Sequence, residues 1–118
     1  MNRIEIVVMR PYAALDAFAE TWRKAEAGEQ ITPQLVFGSL RELFSAITEK
    51  RLELVCYVAA HEGLNIQQLA QGLRRDYQNV FTDVKELVEI GLLERSKQGQ
   101  LTAPFDEIVI RAEIRDAA

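Results

Sequence analysis

Basic and amide side chains between residues 74 and 98 offer the clearest chemistry in this 118-residue chain. The amides of Gln78 and Asn79 can each form two hydrogen bonds with an adenine edge, and Thr82 can bond a base edge or contact a thymine methyl. Guanidinium groups such as that of Arg74 suit the phosphate backbone. We therefore predict contacts to double-stranded DNA from ten residues: Arg74, Arg75, Tyr77, Gln78, Asn79, Thr82, Lys85, Arg95, Lys97 and Gln98.

Each of these residues also has a purely structural interpretation. Arg74 and Arg75 could form a solvated junction between two helices, and Tyr77 could be partly buried in the core. The polar residues that follow Tyr77 could simply be exposed. Lys97 could be an ordinary solubilising charge in a turn.

Residues for enzymatic or metal chemistry are sparse. One histidine and one cysteine are too few for the usual zinc ligand sets. Cys56 and His61 would point about 140° apart on a helix, so they cannot form a catalytic pair. The chain has no glycine-rich phosphate loop and no G-x-S-x-G motif. We expect no enzyme, no metal and no cofactor, with Cys56 as a small core residue.

The elements that would position the DNA contacts lie between residues 48 and 104. Thr48 is placed to cap a helix that ends near Gly63, and a short extended piece and a brief helix follow it. Asp76 is placed to cap a longer helix that ends at Gly91, and a hairpin follows with Gly99 at its turn. This order is typical of a winged helix-turn-helix, whose second helix enters the major groove.

Alternating apolar residues predict a strand at each end of the chain, at 3–9 and 107–114. Helical spacing predicts helices over 12–27 and 35–47, joined by a linker at 29–34. The expected fold class is α+β, mostly helical with little strand. The predicted segments are 1–47 for dimerisation or packing, 48–104 for DNA binding and 105–118 for a C-terminal strand and tail.

The two terminal strands each have one apolar face, and two strands alone are only marginally stable. We expect them to pair with each other or with the same strands of a second subunit, with the two N-terminal helices covering the apolar faces. The candidate dimer contacts are Ile4, Ile6, Val8, Ile108, Ile110 and Ile114.

Net charge and composition indicate what kind of protein this is and which partners to expect. The chain carries 14 Lys and Arg against 18 Asp and Glu, a net charge of −4, with 48% apolar residues. This composition is ordinary for a soluble domain, and no apolar stretch reaches the roughly 20 residues of a membrane helix. The early acidic residue argues against a signal peptide, and a single cysteine fits a reducing compartment. We expect a cytoplasmic protein with no membrane partner.

The acidic surplus bears on the DNA prediction, because DNA-binding domains are usually basic. Five bases nevertheless fall between residues 71 and 100, where a helix start, a groove-facing helix and a hairpin would meet DNA. We therefore predict modest affinity per subunit, weak non-specific binding and dependence on dimerisation.

Four segments carry a resemblance to a known family: residues 43–54, 69–87, 91–94 and 99–108. The most specific part is Arg-Asp-Tyr-x-Asn-Val at 75–80, followed by Asp-Val-x-x-Leu at 83–87. Together they resemble small prokaryotic MarR-like winged-helix transcriptional regulators, which are often encoded beside a toxin and described as antitoxin-type repressors. The resemblance covers roughly residues 35–112. It implies a DNA-binding homodimer, and a cognate toxin is the further partner it points to.

The sequence thus predicts a sequence-specific DNA-binding transcriptional regulator. It would act as a dimeric repressor, and the resemblance extends this to the antitoxin of a toxin–antitoxin pair. The alternative is a winged-helix protein-interaction module without specific DNA binding, for which a net charge of −4 is suited. A small-molecule sensor is a third reading. The operator, the effector, the sign of regulation and the intrachain or intersubunit pairing of the terminal strands stay open.

Overall fold

The computed structural model describes residues 2–9, 11–28 and 32–114. It divides into two compact units, named here the terminal unit (Met1–Ser45 with Glu107–Ala118) and the central unit (Ala46–Asp106). The elements in chain order are β1 (Arg3–Val8), α1 (Pro11–Glu26), β2 (Gln34–Phe37), α2 (Leu40–Ala46), α3 (Glu49–Ala60), α4 (Ile66–Leu73), α5 (Tyr77–Glu89), β3 (Glu94–Arg95), β4 (Leu101–Thr102) and β5 (Glu107–Ala112). The α+β class is confirmed. Within the described residues, every helix is too short or too polar to cross a membrane.

The terminal unit is built on a parallel three-stranded sheet with strand order β2-β1-β5. In its centre Ile6 lies between Leu35 of β2 and Ile110 of β5. The predicted pairing of the two terminal strands is therefore confirmed within a single chain. Both faces of β1 are apolar and buried, at Ile6 on one side and Val7 on the other, as is usual for the central strand of a parallel sheet.

The predicted helix over 35–47 is wrong at its start, because Gln34–Phe37 forms a strand beside β1 and the helix begins only at Leu40. The helix start is local: the Ser39 hydroxyl accepts a hydrogen bond from the Glu42 amide at 3.1 Å, and the Glu42 carboxylate accepts one from the Gly38 amide at 2.9 Å. Residues 29–31 of the predicted linker lie outside the described residues.

The expectation that α1 covers the apolar face of the sheet is also wrong. Leu15, Phe18 and Trp22, the apolar stripe of α1, are 71%, 66% and 60% exposed. In α2, Leu43 is buried but Phe44 is exposed. Helical spacing identified α1 correctly, but the spacing does not determine which surface covers the stripe.

The central unit has a single apolar core. In it α4 packs against α3 and α5, and β4 packs against α3. Its fully buried side chains come from all three helices, from the segment that follows α5 and from β4: Leu54, Val58, Leu69, Val80, Val84, Leu87, Leu92, Leu93 and Leu101. Cys56, expected in the core, is exposed. The buried residues of α3 are Leu54, Val55 and Val58, so Cys56 falls on the opposite side of the helix.

The predicted helix ends are confirmed by their hydrogen bonds. The Thr48 hydroxyl accepts from the Arg51 amide at 3.2 Å, and the Asp76 carboxylate accepts from the Asn79 amide at 3.2 Å. Gly91 has a φ of +87°, and the amide of Leu92 donates to the Leu87 carbonyl at 2.9 Å, which is a Schellman motif. These caps determine where α3 and α5 begin and where α5 ends.

The hairpin is confirmed as the antiparallel pair β3–β4, with Glu94 opposite Thr102. The extended piece before α4 joins it on the other side. Leu101 donates its amide to the Leu64 carbonyl and accepts on its own carbonyl from the Gly63 amide, both at 2.9 Å. The hairpin is thereby tied to the start of α4 through the backbone.

Candidate nucleic-acid interface

The turn between α4 and α5 has an unusual backbone conformation. Arg74 has a φ of +55°, in the left-handed region that glycine normally occupies at the end of a helix. The Arg75 amide donates to the Ala70 carbonyl at 3.0 Å, which completes a Schellman-type end to α4. The left-handed region costs a non-glycine residue about 1–2 kcal/mol, and strain of this kind clusters at functional sites. The Arg74 side chain is exposed beside the start of α5.

An open groove with a volume of about 770 Å³ lies between α4, this turn, the start of α5 and the hairpin. It brings together five of the ten predicted DNA contacts, namely Arg74, Arg75, Tyr77, Arg95 and Gln98. Its other lining residues are Asn65, Ile66, Gln67, Ala70, Gln71 and Gly99, so the lining holds three arginines and no carboxylate. A surface of this charge attracts an anion. We refer to it as the arginine groove.

The hairpin carries a further predicted basic contact, Lys97. Gly99 has a φ of +83°, and its amide donates to the Ser96 carbonyl at 2.9 Å, which closes the turn. The Ser96 hydroxyl accepts from the Gln100 amide at 3.0 Å. Lys97 is exposed at this turn, next to Gln98, which lines the arginine groove. A rigid turn therefore presents Lys97 and one wall of the groove together.

The outward side of α5 carries the predicted base-reading residues. Gln78, Thr82 and Lys85 are exposed on successive turns, opposite the buried stripe of Val80, Val84 and Leu87, and Asn79 is exposed beside them. The Thr82 hydroxyl donates to the Gln78 carbonyl at 3.0 Å, so its oxygen remains able to accept a bond. Glu86 and Glu89 are also exposed, towards the C-terminal end. Lys85 therefore lies among two exposed carboxylates in the C-terminal half of α5, whereas Gln78, Asn79 and Thr82 lie in its N-terminal half.

Arg75 is bound to a carboxylate rather than free in solvent. Its Nη2 lies 2.7 Å from Asp83 Oδ2, and Arg51 Nε lies 3.0 Å from Asp83 Oδ1. The three side chains are only 14–20% exposed. Arg51 Nη1 also donates to the Ala46 carbonyl at 3.0 Å, and the buried Arg75 Nη1 has no hydrogen-bond partner among the described residues. Asp83, in the middle of α5, therefore links this helix to the start of α3 and to the turn between α4 and α5.

One comparison assigns the chain to a family. The protein-family model HVO_A0114 matches residues 46–110, which is more than half of the chain. The chain belongs to the HVO_A0114 family. No curated protein and no solved structure matches it.

The residues that define the HVO_A0114 match include the central unit, all ten predicted DNA contacts and the Arg51–Asp83–Arg75 cluster. Among the candidate dimer contacts, Ile4, Ile6 and Val8 precede the match and Ile114 follows it. Ile4 and Ile6 are buried in the single chain, whereas Ile110 and Ile114 are exposed. Buried side chains cannot contact a second subunit, so Ile4 and Ile6 do not serve as dimer contacts in this structure.

Within the HVO_A0114 region, sequence reasoning missed Phe81. Its ring stacks on Tyr77 with centroids 6.2 Å apart, and both rings are partly exposed on the flank of α5. The spacing of four residues between two aromatics on one helix was the signal that could have identified this pair. Phe81 also lines a small apolar depression of about 170 Å³ with Ile66 and Val88.

Proposed function

We propose that the central unit is a winged helix-turn-helix domain, and that the protein is a sequence-specific DNA-binding regulator of transcription acting as a dimeric repressor. The order α3, α4, α5 and then β3–β4 supports the domain assignment. The tight turn between α4 and α5 supports it as well, because a helix-turn-helix joins its two helices in this way.

The observation that carries the proposal is the arginine groove. It joins Arg74, at the turn, to Arg95, on the hairpin, with no carboxylate in its lining. A duplex whose major groove received the N-terminal half of α5 would place phosphates beside both arginines. Gln78, Asn79 and Thr82 would then meet base edges. Arg75, held by Asp83, would contribute charge to the groove rather than a mobile contact.

The biological role rests on the sequence resemblance. Residues 35–112 resemble MarR-like regulators encoded beside toxins, and this supports a repressor that serves as an antitoxin. A small toxin-like reading frame next to the gene would favour that role.

A second candidate function is a protein-interaction module. The exposed Tyr77–Phe81 pair favours it, because aromatic side chains are enriched at protein interfaces. The net charge of −4 is compatible with it. The two functions differ in one measurement, the affinity for DNA as a function of sequence and salt.

The first test is binding of the full chain to DNA from upstream of its own gene, measured by fluorescence anisotropy over a salt series. We expect a preference of at least about 10³-fold over scrambled DNA of equal length, with affinity that falls steeply as salt rises. Equal affinity for both sequences at low salt would contradict the regulator and favour the interaction module.

Arg95→Ala tests the groove itself. We expect weaker binding to every sequence and a salt slope smaller by about one, since one phosphate contact is lost. The matched control is Arg41→Ala, which removes an exposed cation from α2 in the terminal unit and should leave both quantities unchanged. Equal effects of the two variants would mean that only net charge matters. Arg75→Ala is less suitable, because it also breaks the ion pair with Asp83.

A further inference from the structure

The two arginines in the turn between α4 and α5 are adjacent in sequence, but their side chains have different surroundings. Both line the arginine groove. Arg74 is exposed, whereas Arg75 has only 20% of its side chain exposed. To contact a phosphate, an arginine must bring an N–H donor within hydrogen-bond reach of a phosphate oxygen. The donors that each arginine offers to the groove therefore decide its role.

Both terminal nitrogens of Arg75 are engaged or buried. Nη2 lies 2.7 Å from Asp83 Oδ2, and Nη1 is buried without a hydrogen-bond partner among the described residues. In this position Nη1 cannot reach a phosphate, and Nη2 is held in a charge-assisted bond that a phosphate would have to replace. The carboxylate of the neighbouring Asp76 is used differently, since it accepts from the Asn79 amide at 3.2 Å and caps α5.

A second arginine fixes Asp83 from the other side. Arg51 Nε lies 3.0 Å from Asp83 Oδ1, and Arg51 Nη1 donates to the Ala46 carbonyl at 3.0 Å. Only 14% of the Asp83 side chain is exposed. Arg51 is absent from the lining of the arginine groove, whereas Arg75 is part of it. Asp83 therefore holds a cation of the groove wall on an anchor that is itself held in place.

We propose that Asp83 is a positioning residue that withholds Arg75 from the DNA backbone and so lowers the affinity of this protein for DNA of any sequence. The inference rests on the proposed function, because it takes DNA as the ligand of the arginine groove. A phosphate contact strengthens binding without regard to base sequence. Withholding one such contact makes binding depend more on the base edges that α5 would read.

The variant Asp83→Asn tests this restraint with little change of shape. A carboxamide has one acceptor oxygen where the carboxylate has two, so it can hold only one of the two arginines. Arg51 keeps its bond to the Ala46 carbonyl, so Arg75 is the one released. We expect affinity for a short duplex of scrambled sequence to rise on the order of tenfold at about 0.1 M salt, and the salt slope to steepen by about one. Fluorescence anisotropy over a salt series measures both.

The matched control is Glu86→Gln, which makes the same change of charge at an exposed carboxylate of α5. It should leave the salt slope unchanged, because it releases no arginine. Equal effects of Asp83→Asn and Glu86→Gln would overturn the proposal, since net charge alone would then account for both. Circular dichroism checks that each variant is folded.

Substitution of Arg75 distinguishes its release from a general change in the central unit. Arg75→Gln alone should alter the salt slope by less than about half a unit, whereas Arg74→Gln should reduce it by about one. The double variant Asp83→Asn/Arg75→Gln has the net charge of the native chain and should return to the native affinity. A double variant that binds as tightly as Asp83→Asn overturns the proposal. Equal losses from Arg74→Gln and Arg75→Gln also overturn it, and this comparison does not require Asp83→Asn to fold.

The outcomes also separate this inference from the proposed function. A native chain that prefers its upstream DNA, together with an Asp83→Asn variant of unchanged salt slope, rejects the restraint alone. Tighter binding of scrambled DNA by Asp83→Asn, where the native chain prefers no sequence, supports the restraint and rejects the regulator. Absence of binding to any duplex by either protein at low salt rejects both.

Discussion

The central and terminal units use the same kinds of apolar residue to different ends. In the central unit the stripes of α3, α4 and α5 meet one another, and Leu54, Leu69 and Leu87 are fully buried. In the terminal unit the sheet is buried at Ile6, yet the stripe of α1 is exposed along its length. Amphipathic spacing therefore predicts a helix, but it does not show which part of the protein packs against the apolar side of that helix. The apolar stripes of the central unit bury one another, whereas Leu15, Phe18 and Trp22 of α1 remain exposed in the terminal unit.

The largest expected effect tests this contrast in stability. Leu54→Ala should lower the free energy of unfolding by about 3–5 kcal/mol, because it removes a fully buried side chain and leaves a cavity in the core of the central unit. Phe44→Ala, which truncates a larger but exposed side chain in the terminal unit, should change it by no more than about 0.5 kcal/mol. Urea denaturation followed by circular dichroism measures both. Similar losses for the two variants would mean that Phe44 is buried in solution.

The next largest effect contrasts an ion pair of each unit. Asp83→Ala should cost about 2–3 kcal/mol, because it leaves the guanidinium groups of Arg51 and Arg75 together without their carboxylate. Glu107→Gln removes the partner of Arg3, whose ion pair of 2.6 Å is about half exposed, and should cost no more than about 0.5 kcal/mol. The same urea titrations give both values. An Asp83→Ala variant as stable as the native chain would show that the cluster is no more than a surface pair.

Features that depend on neighbouring residues were predictable from the sequence. The caps at Thr48 and Asp76 and the glycine that ends α5 involve hydrogen bonds within a few residues, and each was identified by residue type and position. The β3–β4 hairpin is local in the same sense. The α+β class followed from these elements.

Features that depend on distant residues were not predictable in this way. The strand β2 forms because Leu35 pairs with Ile6, and no pattern within 35–47 reports that neighbour. The Asp83 cluster depends on Arg51, which is 32 residues away in sequence. The same distinction holds for the candidate site. Residue type alone predicted ten DNA contacts, but only the packing of α4, α5 and the hairpin brings five of them together in one groove. The exposure of Leu15, Phe18 and Trp22 in α1 depends on packing that their spacing does not encode.

The smallest expected effect separates stability from function at one residue of the central unit. Arg74→Gly should raise the free energy of unfolding by about 1 kcal/mol, because glycine adopts the φ of +55° without the strain that an arginine side chain causes there. The same substitution removes one cation from the arginine groove, so affinity for all DNA should fall and the salt slope should decrease by about one. Thermal unfolding and anisotropy measure the two effects independently.

Two other outcomes are informative. If the variant gains stability and retains full DNA affinity, Arg74 does not contact a phosphate. If the variant loses stability, interactions of the Arg74 side chain hold the left-handed turn. The expected result, a more stable protein that binds DNA less well, would mean that the strain at this turn is retained for the sake of the arginine.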